Sequence, residues 1–106
     1  MFAFHCEDYD LYSINYLHTG APKSWYSIPA TQKTRFETLA ATFFPQERLE
    51  CKEFLRHKNV LLSPKKLKEQ GINVVTAVQY PGMGMVCVLV CIYICVCMFA
   101  YCLYAI

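Results

Sequence analysis

The chain has 106 residues and a formal net charge of +2, with 17% charged and 15% aromatic residues. This length supports one small domain at most, and the net charge is too small to indicate nucleic-acid binding. Glu7, Asp8 and Asp10 interrupt the amino-terminal region before any apolar segment, so no secretory signal peptide is predicted. The seven cysteines are an odd number and define no disulfide framework.

His5 and Glu7 form an H-x-E pair near the start of the chain. On an extended strand the side chains of alternate residues point to the same face, so this imidazole and this carboxylate should converge. They would supply two of the three ligands of the 2-His-1-carboxylate triad that holds non-haem Fe(II), and the third ligand should be another histidine. The alternative is a chance pair on a surface strand, because the spacing is common.

Two strand-like segments follow this pair. Residues 11–18, LYSINYLH, alternate so that Ser13 and Asn15 share one face, as expected for a strand that borders a polar cavity. After a turn, residues 23–28, KSWYSI, place Lys23 and Trp25 on one face, where the ammonium group would bind an anion. The alternatives are a solvated lysine at the end of a strand and an ordinary core aromatic residue.

The pattern becomes helical after Pro29. Thr31 or Thr34 can cap the first helix, and Thr34 with Glu37 can form a capping box. The apolar face of this helix has helical spacing and consists of Phe36, Leu39, Ala40 and Phe43. This helix is predicted to pack against the core and to take no part in chemistry.

A second, half-exposed helix is predicted over residues 46–56, where apolar and charged residues mix. Cys51 and His57 would point in different directions on one uninterrupted helix, so they could share a metal only if the helix ends between them. From the residues alone, Cys51 is a small buried thiol and His57 is a loop histidine. A short basic helix then begins at Ser63-Pro64, and Gly71 supplies its C-cap.

Residues 85–106 carry no charge and contain five of the seven cysteines. Their length and hydrophobicity are typical of a transmembrane span. Valine and isoleucine occupy the even positions from 86 to 96, and cysteine or tyrosine occupies most of the odd ones, as in a translated GT/AT dinucleotide repeat. We therefore expect residues 83–106 to be an apolar low-complexity tail from a translated intron or gene-model error, with a transmembrane segment as the alternative.

The segment HCEDYDLYSINYLHTGAPKSWYSIP closely resembles the core of the Jumonji-C (JmjC) histone lysine demethylases. LYSINYLH followed by G-x-P-K-S-W-Y is most similar to the lysine-specific demethylase 4 group, and FFP, FLRHK and LLSPKKLKEQGI continue the resemblance until it fades near Gly82. It implies a mainly β fold with helical insertions, a partial double-stranded β-helix (cupin-like jelly roll) that is incomplete at both ends. Residues 1–82 would form this partial JmjC catalytic core.

The resemblance implies an Fe(II)- and 2-oxoglutarate-dependent dioxygenase, with His5 and Glu7 as the first two iron ligands. Lys23 would pair with the distal carboxylate of 2-oxoglutarate, Asn15 would hydrogen-bond the same cosubstrate, and Trp25 would form a wall of the pocket. In this family 2-oxoglutarate is decarboxylated to succinate, and a lysine N-methyl group is oxidised and leaves as formaldehyde. The implied partners are the di- or trimethylated histone H3 tail and chromatin, in the reducing setting of the nucleus.

The resemblance also implies that Cys51 and His57 are two of four structural zinc ligands, the other two being cysteines outside this chain. Lys58 would line the approach to the catalytic centre, with a surface lysine as the alternative. The second histidine of the iron triad would fall at Tyr93, and no histidine follows His57. We therefore expect this chain alone to be inactive; the alternative is a non-catalytic, membrane-anchored or binding protein that carries a Jumonji remnant.

Overall fold

The computed structural model of the protein describes residues 2–87 and 92–97. Within these residues the strands form two antiparallel sheets. In the first, β1 (Ser13–Tyr16) pairs with β4 (Gly84–Cys87). In the second, β2 (Lys23–Ile28) lies between β3 (Val75–Gln79) and β5 (Ile92–Cys97). The strands and the helices between them agree with the expected mainly β architecture.

Three α-helices occupy the connection between β2 and β3. They are α1 (Lys33–Phe43), α2 (Pro45–Glu50) and α3 (Pro64–Glu69). Short 3₁₀ turns lie at Asp8–Asp10, Ala30–Gln32 and Phe54–His57. Pro45 and Pro64 each begin a helix, a position where the missing proline N–H removes no helical hydrogen bond.

The hydrophobic core lies between β2 and the helices. Phe36 and Ala40 of α1 are completely buried together with Ile28 at the end of β2. The rings of Phe4 and Phe36 lie 5.6 Å apart, so the segment before the first strand also packs on α1. The predicted apolar face of α1 is therefore confirmed, and this helix fixes the position of the residues that precede β1.

The carboxyl end of α3 is closed as the sequence predicts. Gly71 has φ +74°, a left-handed conformation that glycine adopts without steric cost. Its N–H donates to the carbonyl of Lys68, and the N–H of Ile72 donates to the carbonyl of Leu67 at 3.0 Å. These two bonds form a Schellman motif, and they turn the buried Ile72 back into the core.

The predicted amino-terminal caps of α1 are wrong. The residue that precedes α1 is Gln32, and neither it nor a threonine makes a side-chain cap bond there. Thr31 lies in the 3₁₀ turn and Thr34 lies inside the helix, because the chain enters α1 directly from that turn. The side chain of Gln32 instead accepts a hydrogen bond from the N–H of Asn73 at 2.6 Å.

The helix predicted over residues 46–56 is also corrected. It ends at Glu50, and Cys51 is extended with φ −148° and ψ 124°. After the end of α2, the Arg48 guanidinium donates to the backbone carbonyl of Lys52 at 2.6 Å. In a continuous helix this carbonyl would have accepted a backbone N–H instead. The helix therefore ends before Cys51, so Cys51 and His57 do not lie on one continuous helix.

Part of the apolar tail is folded as strand. Both β4 and β5 lie within residues 83–106. Residues 88–91 and 98–106, which belong to the alternative transmembrane segment, lie outside the described ranges. Among residues 2–87 and 92–97, no helix is long and apolar enough to cross a membrane. The alternation of residue types in the tail has a period of two, which suits an extended strand.

Candidate cosubstrate and metal site

The inward face of β1 is polar, as its sequence predicts. Ser13 and Asn15 are half-buried, whereas Ile14 and Tyr16 between and after them are exposed. The Ser13 hydroxyl donates to Oε1 of Glu7 at 2.9 Å. This bond orients the carboxylate of the H-x-E pair against the strand that also carries Asn15.

Lys23 and Asn15 meet directly. The ammonium of Lys23 donates to Oδ1 of Asn15 at 3.2 Å, and both groups are partly buried. Because the lysine can only donate, the Oδ1 atom of Asn15 faces it, and the N–H₂ group of the same amide lies next to this contact. An ammonium and an amide N–H₂ group at one position form a donor set suited to a carboxylate.

Trp25 forms a buried contact that the sequence analysis did not anticipate. Its indole N–H donates to Oε1 of Gln79 at 3.0 Å, and Trp25 is 5% exposed while Gln79 is completely buried. The amide of Gln79 donates in turn to the backbone carbonyls of Asn15 and Met83, each at 2.9 Å. A glutamine in a strand gives no sequence signal of this kind, because its partners Trp25 and Asn15 are 54 and 64 residues away.

His5 is buried at 8% exposure, and its Nδ1 atom lies 2.8 Å from the carbonyl oxygen of Ala3. A carbonyl oxygen only accepts, so Nδ1 is the donor in this contact and Nε2 is the ring atom that would bind a metal. Metal-binding histidines are commonly oriented in this way by a backbone carbonyl. The donor chemistry of His5 therefore fits a metal ligand.

The described residues do not complete an iron site. All three histidines of the chain, His5, His18 and His57, lie within residues 2–87. His18 is exposed and packs edge-on against Tyr16, with ring centroids 4.7 Å apart. Among the described residues no group of three or more His, Cys, Asp or Glu side chains is arranged to hold a metal. The described residues thus contain two candidate iron ligands, His5 and Glu7, and no third metal-binding side chain arranged with them.

A cavity of about 490 Å³ lies on the helical side of His5. Its floor includes Phe4 and Phe36, and its rim includes Lys33 and Arg48. Asn15, Lys23 and Trp25 do not line this cavity, so it is separate from the predicted cosubstrate residues. The cosubstrate residues are therefore identified by their hydrogen bonds and not by this cavity.

The residues of the predicted zinc site lie on the segment between α2 and α3. Cys51 is a half-buried free thiol, and His57 is exposed at the end of a 3₁₀ turn. Lys58 follows with φ +56°, which ends that turn in a left-handed conformation, and its side chain is exposed. The structure thus places Cys51, His57 and Lys58 on one short segment apart from Asn15 and Lys23.

A buried histidine, a carboxylate bonded to β1 and a lysine at the start of β2 follow one another in this order, as in a class of oxygenase domains. The family model described as "JmjC domain, hydroxylase" matches residues 1–105, and the chain belongs to this family. It is 52% identical to lysine-specific demethylase 4D of Rattus norvegicus over 80% of this chain and 17% of that protein. It is 53% identical to lysine-specific demethylase 4B of Mus musculus over 80% of this chain and 8% of that protein.

A third relative is the probable lysine-specific demethylase 4F of Homo sapiens, which is 51% identical over 80% of this chain and 13% of its own length. The chain spans less than a fifth of each of these three relatives. The recognition of a JmjC domain similar to the lysine-specific demethylase 4 group is confirmed. The mainly β, cupin-like fold class is confirmed with it.

Proposed function

We propose that this chain carries part of the core of a histone lysine demethylase that depends on Fe(II) and 2-oxoglutarate. The enzyme would remove N-methyl groups oxidatively from di- or trimethyl-lysine of the histone H3 tail, in the nucleus. The observation that carries the proposal is the hydrogen bond between Lys23 and Asn15, two residues that match the cosubstrate-binding positions of the family. Membership of the JmjC family supports the reaction class.

In this proposal Lys23 binds the distal carboxylate of 2-oxoglutarate. Its ammonium has three donors, so it can keep its bond to Asn15 while it donates to the carboxylate. The amide donors of Asn15 then bind a second carboxylate oxygen. Trp25, which is almost fully buried, forms the wall that excludes water from this end of the cosubstrate and strengthens both bonds.

His5 and Glu7 are the residues that would hold iron. The metal, when bound, would activate O2 while 2-oxoglutarate is decarboxylated to succinate, so that the N-methyl group is hydroxylated and lost as formaldehyde. Within the chain, Ala3 fixes the ring tautomer of His5 and Ser13 orients Glu7, so both ligands are supported by hydrogen bonds. Because no third metal-binding side chain joins His5 and Glu7 among the described residues, we propose that this chain does not turn over by itself.

We further propose Cys51 and His57 as two ligands of a structural zinc ion. The break in the helix after Glu50 supports this assignment, because it lets the thiol and the imidazole turn toward a common point. Two cysteines from outside this chain would complete the set. Lys58, exposed beside His57, would lie on the approach of the histone peptide.

The proposal is tested by two measurements on the 106-residue chain. Calorimetric titration with 2-oxoglutarate and Fe(II) under anaerobic conditions should detect binding that weakens in Glu7→Ala. Incubation in air with a trimethyl-lysine histone H3 peptide should release no formaldehyde. If the wild-type chain bound no 2-oxoglutarate, the assignment of the cosubstrate site would be wrong, and formaldehyde release would contradict the predicted inactivity.

A further inference from the structure

Gln79 is a polar side chain that lies entirely inside the protein. It ends β3, is 0% exposed and uses every polar atom of its amide. Its Oε1 atom accepts from the Trp25 indole N–H, while its Nε2 atom donates to the carbonyls of Asn15 and Met83. These partners dictate the orientation of the amide, since the indole only donates and the two carbonyls only accept.

The bonds to Asn15 and Met83 link parts of the fold that the sheets do not connect. Gln79 and Trp25 belong to the sheet of β3, β2 and β5, whereas Asn15 belongs to the sheet of β1 and β4. Gln79 is also the register partner of Lys23 in the pairing of β2 with β3. Gln79 therefore lies opposite Lys23 in the pairing of β2 with β3. Its side-chain amide also bonds the backbone of Asn15 and the indole of Trp25.

We propose that Gln79 is a positioning residue for the cosubstrate site. It holds the backbone of Asn15 at the distance from β2 that lets the Asn15 side chain meet Lys23, and it fixes the plane of the Trp25 ring. The proposal rests on the proposed function, because it assigns a role to the three residues that would bind 2-oxoglutarate. Gln79 itself contacts none of the reacting atoms.

The substitution Gln79→Glu separates positioning from simple filling of space. Glutamate has the same shape and keeps an acceptor for Trp25, but it loses the donors to Asn15 and Met83 and places negative charge against two carbonyls. Gln79→Met keeps the approximate volume and loses all three bonds. The matched controls are Gln46→Glu and Gln46→Met, since Gln46 lies exposed on α2.

The first measurement does not depend on cosubstrate binding. Trp25 is the only tryptophan, so its indole N–H gives one resonance in a nitrogen–proton correlation spectrum. We expect Gln79→Glu to keep the Trp25 indole proton protected from exchange and to shift the side-chain amide signals of Asn15. We expect Gln79→Met to shift the same Asn15 signals and also to remove the protection of the Trp25 proton. A uniform loss of protection across the protein in Gln79→Glu would indicate general destabilisation and would overturn the positioning role.

The second measurement is the affinity for 2-oxoglutarate. We expect Gln79→Glu to weaken it between about tenfold and a hundredfold, as for loss of hydrogen bonds around a charged group, and both Gln46 variants to leave it unchanged. Unchanged affinity in Gln79→Glu, with a wild-type chain that binds, would overturn the inference and leave the proposed function intact. A wild-type chain that fails to bind would overturn the proposed function, and the spectra alone would then decide whether Gln79 sets the position of Asn15.

Discussion

The ammonium of Lys23 and the Oδ1 atom of Asn15 lie 3.2 Å apart, although the two residues belong to different sheets. The bond shows that the polar faces of β1 and β2 meet in space, which sequence spacing alone could not establish. Together with the Ser13 bond to Glu7, it gathers a carboxylate, an amide and a cation along the two strands. In the proposed function, the amide and the cation of this arrangement bind a carboxylate of the cosubstrate.

Replacement of Lys23 should abolish most of the affinity for 2-oxoglutarate. Lys23→Met keeps the length of the side chain but removes the charge that pairs with the distal carboxylate, and we expect a loss of about tenfold to a hundredfold. Lys65→Met is the matched control, because Lys65 is exposed on α3. Calorimetric titration measures the affinity of each variant for 2-oxoglutarate. Equal losses of affinity in Lys23→Met and Lys65→Met would mean that Lys23 acts only through net charge.

The local structure around this site was largely predictable from sequence. The strand Lys23–Ile28 was predicted at both of its ends, and the inward position of Ser13 and Asn15 followed from alternation. Gly71 was identified as the helix terminator because few other residues adopt positive φ there. These features depend on neighbours in the chain, so a local pattern is sufficient to define them.

Features that depend on distant contacts were not predictable. Gln79 is buried because Trp25 and Asn15 supply partners from other strands, and no local pattern marks it. The caps of α1 were misassigned because Gln32 bonds Asn73 across 41 residues. The strand at Ile92–Cys97 was missed because its composition was attributed to a nucleotide repeat.

Truncation of Phe36 should cost far more stability than truncation of an exposed leucine. Phe36 is completely buried against Phe4, so Phe36→Ala should lower the free energy of unfolding by about 3 to 5 kcal/mol. Leu49 is 81% exposed, and Leu49→Ala should change it by no more than about 0.5 kcal/mol. Urea unfolding followed by circular dichroism measures both values. Similar losses in the two variants would place Phe36 outside the core.

Gly71→Ala should destabilise the protein by about 1 kcal/mol or more. The residue has φ +74°, and an added Cβ would lie 2.7 Å from a guanidinium nitrogen of Arg35, which now donates to the carbonyl of Gln70. Gly84→Ala is the control, because its added Cβ would make only ordinary contacts at 3.9 Å or more. Thermal unfolding compares them, and a neutral Gly71→Ala would show that the C-cap tolerates a side chain.

The tail should prove to be absent from the spliced message. A GT/AT repeat read in triplets yields two alternating codons, which would give β5 a period of two without selection for a sheet. We predict that the mature transcript is spliced at the codon of Gly82. Sequencing that transcript is the measurement, and a message that continues into the codons for residues 83–106 would show that the tail is genuine.

Restoring a histidine at position 93 should not by itself create an active enzyme. Tyr93 is the register partner of Ser27 on β5, so Tyr93→His would add an imidazole to the strand beside β2. Metal ligands must lie within about 0.2 Å of ideal distances, and a single substitution should not achieve this where the described residues hold no partly built group of three ligands. We expect no formaldehyde from a trimethyl-lysine peptide above the level given by the control Tyr9→His, which adds a histidine at a position 91% exposed. Turnover in Tyr93→His that disappears when Glu7→Ala is added would show that β5 already holds its backbone in the geometry of a complete iron site.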